Sequence, residues 1–442
     1  MNLLRRSWVV LTLWLITLLS ALVVPREGLG RADVLFNLAY LFGGLFWLSL
    51  IWALLSLRGL RVVRGLRSSR SQVGRYVQEQ LTLHNHSFLP KLWVEVRDHS
   101  DLPGHHSSRV VSWLGGHRQH SWLVETLCLQ RGRYQLGPIT LYSGDPFGLF
   151  VVQRQLPQVA WLVVYPATFD LPGFAPPVGQ LSGGAALRRG THHVTTNVAG
   201  VRDYVPGDSF NRIHWPSSAR TERLMVKEFE LDPVADVWLF LDMYRSVQVG
   251  GAIQLQPEPA VPESPAPVAN INALELEPTT EEYAIACAAS LARHYLQQGC
   301  SLGMVTYARG RKRELVQPDR GERQLDRLLS ILAVTYAEGV IPLAQMLADE
   351  GAQLGRQTMA VVITPALDYA WVAALRQMTL RGVRAIAVVI DPASFAPEVA
   401  HPSWAPALVA NLVAGRVPAY LVRRGDALSM ALSQANGQVL AA

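Results

Sequence analysis

The run Val34-Leu-Phe-Asn-Leu-Ala-Tyr-Leu-Phe-Gly-Gly-Leu-Phe-Trp-Leu-Ser-Leu-Ile-Trp-Ala-Leu-Leu-Ser-Leu57 decides the architecture, because 24 residues pass without a charged side chain. As a helix rising about 1.5 Å per residue, it outruns a hydrocarbon core of about 30 Å. Ten residues upstream a second uncharged run, Trp8–Val24, ends at the short limit for a span. Arg5 and Arg6 before it would also suit a secretory signal, but no small-x-small cleavage site follows and the second apolar run arrives at once. Two spans joined by a short loop are therefore predicted. Arg5 and Arg6 on one flank and Arg58, Arg61, Arg64, Arg67 and Arg70 on the other keep both ends of the hairpin cytoplasmic. Arginine at every third position would also let the second helix run on and set cations against anionic headgroups. The partner expected here is the lipid bilayer, and the expected location is the cell (inner) membrane.

Charge outside this anchor is nearly balanced. Residues 1–70 hold nine Arg against Glu27 and Asp33, which leaves 31 basic and 32 acidic side chains in the rest of a chain of net charge +6. The basic character belongs to the anchor and does not point to nucleic-acid binding. Cys128, Cys287 and Cys300 are odd in number, far apart and set in apolar contexts, which suits a reducing compartment and core packing.

Beyond the anchor (1–71) the patterning changes twice. Over 72–170, short alternating runs such as Tyr76–Leu83, Leu92–Val96, Trp122–Leu129, Tyr134–Tyr142 and Trp161–Val164 are separated by turns, which predicts a small β-sandwich. Asp145-Pro-Phe-Gly-Leu-Phe150 reads as a tight reversal with Phe147 and Phe150 plugging its underside. Residues 171–232 form a bridging segment. Over 233–442, apolar strands (Val234–Leu241, Ser301–Tyr307, Met359–Ile363, Ala385–Ile390, Pro418–Val422) alternate with helical stretches, predicting a doubly wound α/β domain with a buried parallel sheet. A Pro-rich insertion, 247–280, leaves from the carboxyl end of its first strand, the edge where open α/β sheets carry their binding crevice. The fold class expected is thus α+β and multidomain.

The bridging segment contains the most specific motif. Pro206-Gly207 suits the centre of a type II turn, and Asp208 can bond the backbone that follows. Ile213 and Trp215 are expected to bury, while Arg202, Arg212, Arg220, Arg223 and Lys227 concentrate positive charge beside His192, His193 and His214. Arg202, Tyr204, Pro206, Gly207, Asp208, Arg212, Ile213, Trp215, Ser218, Ala219 and Arg220, followed by Val226-Lys227-Glu228-Phe229-Glu230, closely resemble the signature of the domain-of-unknown-function 58 family. Pro216 stands where that family often has a basic residue.

The resemblance implies more than the residues alone. The family's C-terminal part is similar to a von Willebrand factor A domain, in which Mg²⁺ is commonly held by Asp-x-Ser-x-Ser, a Thr and an Asp from three loops. Here Asp242 and Ser246 match, Tyr244 replaces the first Ser, the loop at Gly339–Leu343 has no Thr, and Thr364 is followed by Pro365 where the Asp should stand. So incomplete a set argues against Mg²⁺, an ion that demands near-ideal geometry, and no cofactor is expected. The family also implies an AAA+ ATPase partner of the MoxR type.

No nucleophile elbow, P-loop or Rossmann glycine fingerprint is present, so the chain is not expected to be an enzyme. His105-His106 and His192-His193 are expected to face solvent in loops. A membrane-anchored scaffold or adaptor is the leading expectation. Two others stand beside it: a hydrolase or anion-binding enzyme built on Arg202, Asp208, His214, Ser218 and Arg220, and a metal-dependent protein-binding module using Asp242 and Ser246.

Overall fold

Two helices, α1 (Arg5–Val23) and α2 (Arg31–Ser56), follow a short strand, β1 (Asn2–Leu3). Leu, a strong helix former that is not branched at Cβ, is the commonest residue in both, and by length and composition both could cross a membrane. Their outer faces stay exposed at Ile16, Leu19, Leu22, Tyr40 and Leu41. They pack closely at Gly43, where a Cβ would stand 2.5 Å from Trp14 Nε1. The computed structural model describes residues 2–3, 5–23, 31–174, 198–204, 213–229, 236–250, 276–355 and 358–433.

The second helix does not run on past its apolar stretch. It stops at Ser56, and Gly59 takes φ +73°, a left-handed conformation that costs glycine little. Lys91 Nζ, almost wholly enclosed, donates to the Leu55 carbonyl at 2.7 Å, which also accepts from Arg58 N at 3.2 Å as the helix closes. The chain then becomes a strand, so residues 60–72 belong to the β structure and not to the anchor.

That structure comprises β2 (Leu60–Leu66), β3 (Arg70–Gln72), β4 (Tyr76–Asn85), β5 (Lys91–Asp98), β6 (Arg109–Leu114), β7 (Gln119–Leu127), β8 (Gly132–Leu136), β9 (Ile139–Gly144), β10 (Phe150–Leu156) and β11 (Ala160–Tyr165). The sheets run β2-β4-β7, β1-β10-β9-β5-β6 and β3-β11-β8. The first two share one core, in which Val62, Leu81 and Leu83 meet Val94, Val96, Ile139 and Leu141. Alternation supplies it: along β4 every second residue from Val77 to Asn85 is buried. The stretch expected as one strand, Tyr134–Tyr142, is divided at Gly137-Pro138 into β8 and β9.

The chain divides into two units, Met1–Tyr165 and Pro166–Ala442. In the second, β12 (Val198–Asp203), α3 (Trp215–Thr221) and β13 (Met225–Phe229) form an antiparallel hairpin around a short helix. Next come β14 (Asp236–Leu241), α4 (Thr280–Gln297), β15 (Leu302–Gly310), β16 (Lys312–Asp319), α5 (Glu322–Ala333), β17 (Glu338–Gly339), α6 (Leu343–Gly351), β18 (Thr358–Thr364), α7 (Ala370–Leu380), β19 (Arg384–Ile390), α8 (Trp404–Ala414), β20 (Ala419–Val422) and α9 (Leu428–Ala431). Their sheet has the order β16-β15-β14-β18-β19-β20, with β17 beside β15. Every pairing is parallel except that of the edge strand β16, which the parallel expectation lacked.

Neighbouring residues Leu239 and Phe240 are both fully buried, so both faces of this sheet are covered. Phe240, Ala360, Val362 and Val389 pack with α6, α7 and α8, while α4 lies along β14, β15, β18 and β19, its Tyr295 hydroxyl 3.6 Å from Met359 Sδ. Residues 166–174, expected to close the sandwich or open the bridge, instead bind this unit. Phe169 N donates to Ser290 Oγ, Asp170 pairs with Arg293 at 3.2 Å, and Phe174 sits among His294, Tyr295 and Tyr420. Most of the Pro-rich insertion (251–275) lies outside the described residues.

Candidate functional site

The order of the large sheet reverses at β14: the chain leaves toward β15 and later returns on the other side through β18. Such a reversal splays the connections apart and opens a crevice at the carboxyl ends of the two strands. Asp242 and Thr364 flank it. Asp242 is buried, and its two oxygens are both engaged: Oδ2 accepts from the Thr364 hydroxyl at 2.6 Å and Oδ1 from Tyr244 N at 3.0 Å. Burial pushes its carboxyl up to about 6, against the lowering effect of those two bonds. Gln248 Nε2 donates to Asp242 O, and Thr280 Oγ1 to Gln248 Oε1, which ties the loop after β14 to the first turn of α4. Gly339 closes against this loop: its N donates to Met243 O at 3.0 Å, and a Cβ there would stand 2.7 Å from the same oxygen. Arg245, Ser246 and Tyr369 remain exposed around the crevice.

The Mg²⁺ site implied by the family resemblance does not fit these residues. Each Asp242 oxygen already accepts a hydrogen bond, from the Thr364 hydroxyl or Tyr244 N, Ser246 is exposed, Tyr244 offers no short-chain hydroxyl, and Pro365 offers no side-chain ligand. Thr364, instead of serving an ion, satisfies the carboxylate directly. A separate hollow of about 370 Å³ opens at the opposite ends of β14 and β18. Asp236, Trp238, Leu315 and Thr358 line it beside the Arg313–Glu350 pair at 3.1 Å.

In the signature segment, the described residues form a structural tie. Ser218 Oγ donates to His214 O at 3.0 Å and accepts from Met225 N at 2.8 Å, binding α3 to β13. His214 Nδ1 meets Ser217 Oγ at 2.7 Å, so His214 and Ser218 do not form a base–nucleophile pair through their side chains. Ile213 is buried as expected, but Trp215 is 64% exposed, because it opens a short helix whose outer side is uncovered. Arg220 is exposed too. Arg202 lies in β12 and Lys227 and Glu228 in β13 as backbone, and Tyr204 N donates to Leu224 O at 2.8 Å. Pro206, Gly207, Asp208 and Arg212, like His192 and His193, lie outside the described residues, as do the side chains of Arg202, Lys227, Glu228 and Arg5.

One polar cluster escaped the sequence reading. Arg64, expected to flank the membrane, turns into the sandwich: its Nε is 2.9 Å from Glu79 Oε1 and its NH2 2.7 Å from Asp98 Oδ1. His105, expected to face solvent, is enclosed, with Nε2 3.0 Å from Glu79 and 3.5 Å from Asp98 and Nδ1 2.8 Å from Thr126 Oγ1. Burial opposes the imidazolium, yet the two carboxylates outweigh it and raise the His105 pKa. Burial likewise opposes the Asp98 carboxylate, but bonds from His105, Ser107 and Ser100 and the charge of Arg64 hold its pKa well below the usual range. Ligand atoms of Glu79, Asp98 and His105 lie within 4.8 Å of one another, but the Arg64 guanidinium already supplies the cation between the carboxylates. The inward rows of β2, β4 and β5 each carry one charge at the same end of the core. Only the strand alignment makes that visible.

Comparisons with known proteins fall on the same parts of the chain. Residues 200–269 match the family described as "Protein of unknown function DUF58". The chain is 22% identical over 365 residues to the uncharacterized protein YeaD of Bacillus subtilis (strain 168), covering 79% of this chain and 81% of YeaD. Among solved structures, the CARDB domain of the PF1109 protein of Pyrococcus furiosus is 15% identical, with 24% of this chain and 91% of that chain covered and a TM-score of 0.19. Spo0M, a sporulation control protein of Bacillus subtilis, is 9% identical, with 24% and 50% covered and a TM-score of 0.16. Such slight structural likenesses carry no weight here. The signature segment thus matches the DUF58 family, and the likeness to YeaD extends over four fifths of the chain.

Proposed function

We propose that this protein is a membrane-anchored scaffold or adaptor whose soluble part lies on the cytoplasmic side of the cell membrane. In this reading α1 and α2 cross the bilayer, and Arg5, Arg6, Arg58 and Arg61 hold both ends inside the cell. The second unit resembles a von Willebrand factor A domain in its doubly wound sheet and acts as a protein-binding module, with no metal ion and no catalytic centre. The inferred partner is an AAA+ ATPase of the MoxR type, which the family resemblance suggests.

The observation that carries this reading is the Asp242–Thr364 bond at the switch point. A crevice whose acid is satisfied internally presents a fixed protein surface, with Arg245, Ser246 and Tyr369 at its rim. The hydrolase alternative is weaker because the Ser218 hydroxyl is consumed by backbone groups on either side of α3.

The test is capture of the tagged full-length protein from membranes solubilised in mild detergent, with and without ATP. An AAA+ ATPase is expected to accompany the wild type, and Arg245→Glu combined with Tyr369→Ala is expected to release it. Recovery of no ATPase under either condition would reject the partnership.

A further inference from the structure

The sandwich is joined to the hairpin by more than the end of α2. Leu149 and Phe150, after the Asp145–Gly148 turn, pack into a cluster with Phe46 and Ala53 of α2 and with Val10 and Leu11 of α1. The Phe46 and Phe150 rings lie 5.4 Å apart, edge to face. Phe46 is ten residues before Ser56, which places this contact about 15 Å down from the helix end. At 26 residues α2 is about 39 Å long, only about 9 Å more than the hydrocarbon thickness. Even if all of that surplus stood on the sandwich side, Phe46 would be several ångströms inside the hydrocarbon.

A second measure of depth agrees. Gly43 abuts Trp14, so the antiparallel α1 brings Arg6 level with about Ile51, near the boundary where a basic flank belongs. The Arg6 guanidinium lies beside Gly148, with NH1 3.9 Å from the position of a Gly148 Cβ. Phe147, next in the turn, is 53% exposed, contrary to the plug expected from sequence. Its neighbours on the chain are fixed: the Asp145 carboxylate accepts from Phe147 N, Leu149 N and Phe150 N. A rigid turn thus holds an uncovered aromatic ring at the depth of the headgroup–acyl boundary. On another side of α2, a small slot of about 100 Å³ between Leu48, Ile51, Trp52 and Leu55 and the Leu89-Pro90 loop is also apolar at that depth.

Resting on the membrane reading above, we infer that the Asp145–Phe150 turn inserts into the cytoplasmic leaflet, with Phe147 as the buried side chain. The sandwich is then held against the bilayer by its own turn as well as by the helices. Aromatic rings favour this boundary, where apolar faces leave water while the neighbouring cation stays among the headgroups.

The experiment uses the full chain in phosphatidylcholine–phosphatidylglycerol vesicles, with Phe147→Cys carrying an environment-sensitive fluorophore. Leu123→Cys, on the exposed side of β7, serves as the control position. The label at 147 is expected to be quenched by lipid-borne nitroxides and to be several-fold less accessible to aqueous iodide than the label at 123. Equal iodide access at both positions, in vesicles that retain the protein through an alkaline carbonate wash, would overturn the inference while leaving the anchor intact. Loss of the protein in that wash would overturn the membrane reading and the inference with it.

Discussion

Two buried acids with opposite behaviour give the residue-scale tests. Arg64 is the counter-charge of Glu79 and Asp98, and removing one partner of a buried ion pair costs about 3–5 kcal/mol. Arg64→Met is therefore expected to lower the unfolding midpoint of the full-length protein by many degrees in a denaturant titration. His105 binds its proton more tightly folded than unfolded, so its contribution is complete below about pH 6.5 and fades as pH rises through the elevated folded value. Asp98 is the reverse, complete above about pH 3.8 and lost as pH falls through its depressed value. Thermal midpoints should accordingly decline on the alkaline side, and His105→Gln should flatten that decline. Asp242 has a folded value of about 6, so its neutral form stabilises at low pH and the benefit is lost as pH rises through 6. Asp242→Asn is expected to be as stable as the wild type at pH 8 or more so, by up to about 3 kcal/mol, and millimolar Mg²⁺ should shift neither midpoint. A Mg²⁺-dependent rise seen only in the wild type would reinstate the ion site.

At the scale of single elements, the tight turn and the helix caps make separate claims. The Asp145 carboxylate accepts from the backbone N–H groups of Phe147, Leu149 and Phe150, the last two on buried residues. Asp145→Ala should cost about 2–4 kcal/mol, since each buried donor left unpaired costs about 1–3 kcal/mol and water can reach part of the turn. Lys91→Met removes the donor that caps α2 at Leu55 and replaces a costly buried amine with an apolar chain, so a smaller loss of about 1 kcal/mol is expected in the same titration. Thr279 caps α4 by accepting from Glu282 N at 3.1 Å, and Thr279→Ala is expected to cost about 1 kcal/mol in the second unit alone.

For the whole molecule, the decisive property is sidedness. If both ends of the hairpin lie inside the cell, protease added outside intact cells should leave the region beyond residue 70 whole, and the same protease should degrade it after permeabilisation. Digestion in intact cells would move the partner surface to the other side of the membrane. The family signature at 200–230 was legible because its residues are contiguous, and β12, α3 and β13 occupy that stretch. What those side chains do was less legible. Trp215 reads as core by residue type, yet a seven-residue helix has no face broad enough to bury it as well as Ser218.

Features that depend on one segment at a time can be read from the local order of residues. Two charge-free runs specify two long apolar helices, period-two alternation specifies the sandwich strands, and apolar runs between helical stretches specify the mostly parallel sheet of the second unit. Tertiary structure alone decided what depends on several segments meeting. Arg64 looked like a membrane flank until β2 paired with β4 and brought it to Glu79, and β5 brought Asp98 beside them. Thr364 read as the remnant of an incomplete ion-binding loop until β18 aligned with β14 and placed it on Asp242, 122 residues earlier. Periodicity and composition act within a few turns of chain, whereas the charge partner, depth and exposure of a side chain are set by strands that only the folded chain makes neighbours.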